Sequence, residues 1–533
     1  MLGDGDTGWH IRIGEWIIAN GKVPRTDIFS FTRPGSPFIA WEWLWDLGAA
    51  FLHQHFGLGG VVLASMLVLC TTFALVYRLA YRRCGNGIIA LLITALAVAV
   101  SSIHFLARPH LMTWLFAVVF LTLIERAREG NTRLLWWLPL LTIVWTNLHG
   151  GFLAGIAILL TYGCGELLRA VFAERGPERG SAARSSLPYF AAAGASLAAS
   201  LVNPYFYHLH QHLIEYLRDP YAMQHIVEFQ SVNFHSSGAG FFEAMLALGF
   251  GAAIWFARKK SFGDVLLVAG WAHLALGAAR HLPVYALMAT PAIAVAVAGW
   301  LQALAESPLA GWVRTCADQI RSTWSEIEPF ERIGRVHVVG LLALAGIALG
   351  MRSPSAGILL RPEYDRTAYP AGALALLENP GQRIFTHDEW GDYLVYNLWP
   401  KGGKVFIDGR SDFYGHDFCE QYASIMDVKY DWEQKLSQYH IDTILLPPDA
   451  ALASAIKESS HWRVVYDDGS AIVFRPRASS SAAQEFSTSS SGGSERGLSI
   501  THQTTVITDH VNPKEHETYE KPANQKAARR SSA

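Results

Sequence analysis

The sequence predicts an α-helical polytopic membrane protein with a small extracytoplasmic α/β domain near its C-terminal end. Three observations predict it. Of 533 residues, 51% are hydrophobic and 17% charged, with 18 Trp, and the mean hydropathy is +0.19, too apolar for a soluble multidomain protein of this length. Up to residue 351 the apolar residues gather in repeated blocks of roughly 16 to 24, near the length a helix needs to cross hydrocarbon. The basic residues between the blocks fall in alternate loops, the pattern of the positive-inside rule. The formal net charge of −2 sums over compartments that a membrane separates, so it points to no class of partner, and nucleic acid is not expected among them.

The chain opens on a polar segment, 1–45, that carries Asp4, Asp6, His10 and Arg12. About ten spans follow by hydropathy, at 57–80, 87–104, 110–126, 133–147, 151–170, 187–202, 240–257, 262–278, 283–301 and 336–351. Arg78, Arg82 and Arg83, then Arg126, Arg128 and Arg133, then Arg169 to Arg184, then Arg258, Lys259 and Lys260, then Arg314 to Arg335 mark the cytoplasmic loops. The outer side then receives residues 4–45, 104–110, 147–151, 203–239, Arg280-His281 and everything after Met351. An outer Asp4 needs a preceding span, and no cleavable signal peptide stands before it. The chain is therefore expected to start at an internal methionine of a longer protein with about eleven spans.

After the transmembrane domain, 1–351, the sequence reads as one soluble α/β domain at 362–476. Strands are expected at 383–386, 405–408, 443–446, 463–466 and 471–474, with helices at 389–398, 416–439 and 450–458. Residues 478–533 are rich in Ser, Thr, Gly and Ala and are expected to be a disordered tail. Only Cys419 of the five cysteines falls in the outer domain, so no disulfide framework is expected there, and no Cys/His cluster suggests zinc.

The stretch Asp4-Gly5-Asp6-Thr7-Gly8-Trp9-His10-Ile11-Arg12-Ile13-Gly14-Glu15-Trp16 resembles the first outer loop of the GT-C superfamily of membrane glycosyltransferases. It is particularly similar to bacterial proteins grouped as RgtA/B/C/D-like glycosyltransferases, and more distantly to the Asp-x-x-x-His-x-Arg loop of oligosaccharyltransferase catalytic subunits. The resemblance covers residues 1–351. It implies a sugar donor on a polyprenyl phosphate, a lipid, glycan or protein acceptor, and inverting transfer on the outer face of a bacterial-type inner membrane.

The residue types suit that chemistry. Asp4 or Asp6 can take a proton from an acceptor hydroxyl, and the second carboxylate can orient it or hold a divalent cation; whether a metal is needed stays open. The pair can equally be a helix cap and surface acids. A leaving phosphate needs cations or donors beside it, and Arg108, His110, His149, Arg280 and His281 each sit at an outer end of a span, where such side chains also snorkel to headgroups. Arg280 with His281 is the first choice for the phosphate, while His10, Arg12 and Glu42 are expected to line the substrate site. Trp41, Trp43 and Trp45 around Glu42 read as interfacial anchors.

The alternating His208, His210 and His212 do not share a helix face, so residues 203–239 are expected to form a lid rather than a metal site. In the outer domain, His387-Asp388-Glu389, Asp408-Gly409-Arg410-Ser411-Asp412 and His416-Asp417 invite a hydrolase or metal reading beside a structural or acceptor-docking one. Two further functions remain as alternatives. A transporter would show charges inside spans and repeat symmetry, and a ligase-like glycan transferase would use Arg and His without an acidic base.

Overall fold

The apolar blocks are helices in the computed structural model, which describes residues 1–173, 177–306, 311–331 and 362–477. The expected span at 336–351 and the tail at 478–533 lie outside the described residues. In order, the helices are α1 (Asp6–Asn20), α2 (Trp43–Cys84), α3 (Gly87–Ser101), α4 (His110–Arg128), α5 (Trp137–Leu148), α6 (Leu153–Val171), α7 (Pro177–Ala199), α8 (His208–Leu217), α9 (Pro220–His225), α10 (Ala239–Arg258), α11 (Phe262–Gly277), α12 (Leu282–Glu306) and α13 (Gly311–Glu331). Among the described residues six helical segments are long and apolar enough to cross a membrane: Trp43–Cys84, Gly87–His104, His110–Arg128, Gly150–Val171, Ala239–Arg258 and Ala279–Glu306. The protein is a multi-pass membrane protein.

Three of the ten expected spans fall on helices outside that set, each for a physical reason. The block at 133–147 begins as a 3₁₀ turn and leaves α5 only 12 residues. The block at 187–202 belongs to α7, which starts ten residues earlier in polar sequence and carries Pro188 inside. The block at 262–278 is α11, apolar but 16 residues long. Gly57 explains why hydropathy begins the first span there: its φ of 65° and ψ of −167° kink α2 and part a short leading stretch from the membrane portion.

Residues 1–45, read from sequence as an outer loop, contain the 15-residue helix α1. Two glycines let it nestle between neighbours. A Cβ on Gly14 would lie 1.9 Å from the Asp46 carbonyl oxygen of α2, and one on Gly5 would lie 2.5 Å from the carbonyl oxygen of Glu389. Residues 362–477 build a four-stranded sheet, β1 (Ile384–Thr386), β2 (Thr443–Leu446), β3 (Trp462–Asp467) and β4 (Ile472–Pro476), ordered β1-β2-β4-β3. The β1–β2 pair is parallel and the other two are antiparallel. The helices α14 (Asp388–Leu398), α15 (Ser411–Tyr414), α16 (His416–Met426), α17 (Trp432–Gln438) and α18 (Ala451–Glu458) accompany it.

The expected strand at 405–408 is a correction. Val405 makes only isolated bridges, to Ile384 and to Ser30. Its flanking bonds run to the N-terminal segment, with Val405 N–H donating to Phe29 O at 3.1 Å and Phe31 N–H to Val405 O at 3.0 Å. Val405, Phe406 and Ile407 are all buried, so the run is apolar because it is covered on every side. Beside it, Arg410 is 2% exposed. Its guanidinium grips Asp408 through Nε and Nη2, each at 2.7 Å, and Asp27 at 2.8 Å. Tyr414 donates to Asp408 at 3.0 Å, and the rings of Phe29, Phe38 and Phe413 each lie 4.9 Å from the guanidinium. The acidic motif that invited a hydrolase reading is thus a buried clamp between residues 21–42 and the C-terminal sheet.

Far along the bundle, a second ionic group ties α2, α4 and α11 together. Arg83 pairs with Asp264 at 2.8 Å and Glu125 at 3.5 Å, and Arg128 with Glu125 at 2.7 Å and Asp264 at 3.2 Å. Tyr162 donates to Glu125 at 2.8 Å and Ser261 to Asp264 at 2.7 Å. These residues come from the basic loop ends that the sequence groups on one side. The 19 residues of α4 separate them from Arg108 by roughly 28 Å of helix.

Candidate active site

At the opposite end, the start of α1 presents its acids to the loop before α4. Asp4 Oδ1 accepts the N–H of Asp6 at 2.8 Å, so the local cap expected of such a pair is present. The same residues also close on Arg108, whose Nη1 lies 2.6 Å from Asp4 Oδ2 and whose Nη2 contacts Asp6. The C-terminal segment supplies a third acid. Asp392, 1% exposed on α14, accepts the N–H of Gly409 at 2.8 Å and shares a hydrogen bond with Asp6. A Cβ on Gly409 would meet Asp6 Oδ1 at 2.5 Å and Asp392 Oδ2 at 2.7 Å. Burial pushes the Asp6 carboxyl up to about 7 against the pull of Arg108, with Asp4 adding to the rise. Burial also holds Asp392 well above the usual carboxylate range.

A second set, buried behind the first, centres on Glu42. His10 Nδ1 stands 2.6 Å from Asp46 Oδ1 and its Nε2 3.7 Å from Glu42 Oε2. On the other side, His149 Nε2 lies 3.4 Å from Glu42 Oε1. His149 Nδ1 accepts the Gly151 N–H at 3.0 Å and lies 2.7 Å from Thr113 Oγ1, which itself accepts the Trp145 indole N–H at 3.0 Å. A backbone donor on Nδ1 places the ring hydrogen of neutral His149 on Nε2, aimed at Glu42. Burial lowers His149 to about 3 and His10 well below the imidazole range, while it holds Glu42 well above the carboxylate range. Water is therefore displaced from a polar set that carries little net charge of its own.

The third set faces residues 203–239. Arg280 Nη1 lies 3.6 Å from Glu228 Oε1 and its guanidinium 4.2 Å above the Phe229 ring, with His104 Nε2 3.8 Å from Glu228 Oε2. Burial opposes the charge on Glu228, yet Arg280 and Arg108 hold its carboxyl down to about 2. His110 Nε2 bonds the His104 carbonyl at 2.9 Å, and His281 lies against Trp271 with 6.3 Å between rings.

The solved structures now bear on this arrangement. The archaeal oligosaccharyltransferase AglB from Archaeoglobus fulgidus, in complex with an inhibitory peptide and a dolichol-phosphate, superposes with a TM-score of 0.53 at 11% identity, covering 89% of this chain and 71% of that one. The Archaeoglobus fulgidus oligosaccharyltransferase tethered to an acceptor peptide gives 0.50 at 11% identity, over 90% and 70%. The fold is shared with these archaeal oligosaccharyltransferases. No family model and no curated protein matches the chain.

Within this fold, most of the residues singled out in the sequence converge on one end of the bundle: Asp4, Asp6, His10, Glu42, Arg108, His110, His149 and Arg280. Arg12 goes elsewhere. Its Nε and Nη2 donate to the Tyr396 carbonyl at 2.8 and 2.5 Å, and its Nη1 pairs with Glu15 at 2.6 Å, so it fastens α1 to α14. In α8, His210 bonds Ser200 at 2.8 Å and His212 bonds Asp412 at 2.9 Å. Among the described residues no group of three or more His, Cys, Asp and Glu is placed to hold a metal, and between Asp4 and Asp6 the guanidinium of Arg108 takes the place a cation would need. The sequence reading missed Asp392, Asp46, Thr113 and Glu228 as partners. Only the acidic start of α14 signalled the first, and nothing local signalled the others.

Proposed function

We propose that the protein is a glycosyltransferase that moves a sugar from a polyprenyl-phosphate donor to an acceptor hydroxyl on the extracytoplasmic face of a bacterial-type inner membrane. The observation that carries this is the set Asp4–Arg108–Asp6, a pair of carboxylates held open around one guanidinium at the membrane end of a GT-C fold. That AglB is solved with a dolichol-phosphate and with an acceptor peptide supports a lipid-linked donor. In the reaction, Asp4 or Asp6 takes the proton of the acceptor hydroxyl as its oxygen attacks the anomeric carbon. The bond from that carbon to the donor phosphate oxygen breaks, and polyprenyl phosphate leaves with the electron pair. Arg280, with Arg108 beyond Glu228, faces the charge that develops on the phosphate. Glu42, buried between two neutral histidines, packs behind the acid pair and limits water there.

The test uses purified full chain and a polyprenyl-phosphate sugar. Asp4→Asn and Asp6→Asn should retain donor binding, while the variant that lacks the base loses transfer by roughly 100-fold or more. Wild-type turnover in both single variants would remove the acid pair from the chemistry. Chelation in the same assay decides whether a divalent cation takes part.

A further inference from the structure

Beyond the acid set, a cavity of about 470 Å³ opens on the C-terminal segment, within the roughly 300–1,000 Å³ usual for ligand sites. It lies just past the carboxyl ends of the two parallel strands β1 and β2, where the chain continues as His387 and Pro447, the position at which open α/β sheets take ligands. Its lining includes Thr367, His387, Glu389, Pro448, Asp449 and Ser470. The carbonyl of Glu389 touches Gly5 at the start of α1, so the rim of the cavity adjoins Asp4 and Asp6.

The lining chooses the ligand. No Lys or Arg borders the cavity, so it is a poor host for a phosphate or other anion. The carboxylates of Glu389 and Asp449 take no hydrogen bond and no ion pair among the described residues, and each can accept a pair of hydroxyls. The Ser470 hydroxyl is likewise available, and Pro447, Pro448 and the edge of Trp390 offer apolar faces. Neutral polyhydroxylated ligands bring many donors and flat apolar patches without a charge of their own.

We propose that this cavity is the acceptor subsite and holds a neutral saccharide portion of the acceptor, so that one of its hydroxyls reaches the acid pair. The proposal rests on the transferase reading above.

The experiment measures saturation-transfer NMR on the full chain in lipid nanodiscs with neutral gluco-, galacto- and manno-configured trisaccharides, and with trilysine as a cationic probe. At least one trisaccharide should bind. The double variant Glu389→Gln/Asp449→Asn should bind it roughly tenfold more weakly, the scale of two weakened hydrogen-bond sets, and Ser470→Trp, which fills the cavity, should remove the signal. Silence of all three sugars on the wild type, an unchanged signal in both variants, or binding of trilysine in their place overturns the assignment. Donor cleavage by the wild-type chain without any saccharide, followed in parallel, reports on the transferase reading by itself.

Discussion

The two ends of the bundle solve the same problem, charged groups close to a membrane, in opposite ways. At the Arg83 end, two carboxylates meet two guanidiniums, and every acid touches a cation at 3.5 Å or less. At the Asp4 end, acids outnumber cations: Asp4 and Asp6 share one guanidinium and Asp392 bonds Asp6, while Glu42 and Asp46 have only histidines that burial keeps neutral. Asp46 Oδ2 is buried with no partner at all. A balanced cluster is what packing requires; an unbalanced one is maintained against a folding cost, the pattern expected where the proposed chemistry is placed.

Topology offers the all-or-none test of this contrast. A reporter fused after Lys260 should be active only in the cytoplasm, and one fused after Arg475 only outside it; the same sidedness for both fusions would collapse the distinction between the two ends. Next in size are the acids themselves. The catalytic one of Asp4 and Asp6 should lose roughly 100-fold or more in turnover as Asn. By contrast, Asp264→Asn should cost about 3 kcal/mol or more of stability by leaving Arg83 and Arg128 a single carboxylate, Glu125, between them, seen as a lower unfolding temperature in detergent, with turnover per folded molecule kept.

Smaller effects sharpen the picture inside the site. Arg280→Ala should weaken donor-lipid binding about tenfold, as expected for one charge-assisted contact of about 1.4 kcal/mol; an unchanged donor affinity would assign Arg280 to Glu228 alone. The pH profile tests Asp6 as the base. Asp6 sits near 7, protonated below that value and charged above it. If it is the base, turnover climbs as pH rises through about 7; a flat profile there removes Asp6 from that role. The same raised value costs stability, because the unfolded chain gives up this proton near pH 4 while the folded chain keeps it to about 7; this contribution declines as pH rises across that window.

Much of this was legible in the sequence because hydropathy and charge are local signals. The long spans stood out as unbroken apolar blocks, and Asp4, Asp6, Arg108, His149 and Arg280 as polar residues at their edges. Partnership was not legible. Asp392 reads as one more acid in a soluble helix until α1 is seen against α14, and Thr113 as an ordinary hydroxyl until Trp145 and His149 bracket it. Arg12 misled for the same reason: its motif position matched a substrate role, but the Tyr396 carbonyl it serves lies 384 residues away. Residues 405–408 looked like a strand because covered backbone and laddered backbone carry the same apolar residues.

The clamp of Arg410 on Asp27 joins residues 383 apart, and that distance is also a delay. At about 5–20 residues per second of synthesis, Asp27 waits on the order of 20 to 80 s for its partner, and Asp4 and Asp6 wait slightly longer for Asp392. During that time the ribosome must thread every intervening span, with residues 21–42 lacking the sheet edge they will lean on. The three-acid set therefore cannot assemble before residue 392 has been made, and a product that stops short of it carries Asp4 and Asp6 without Asp392.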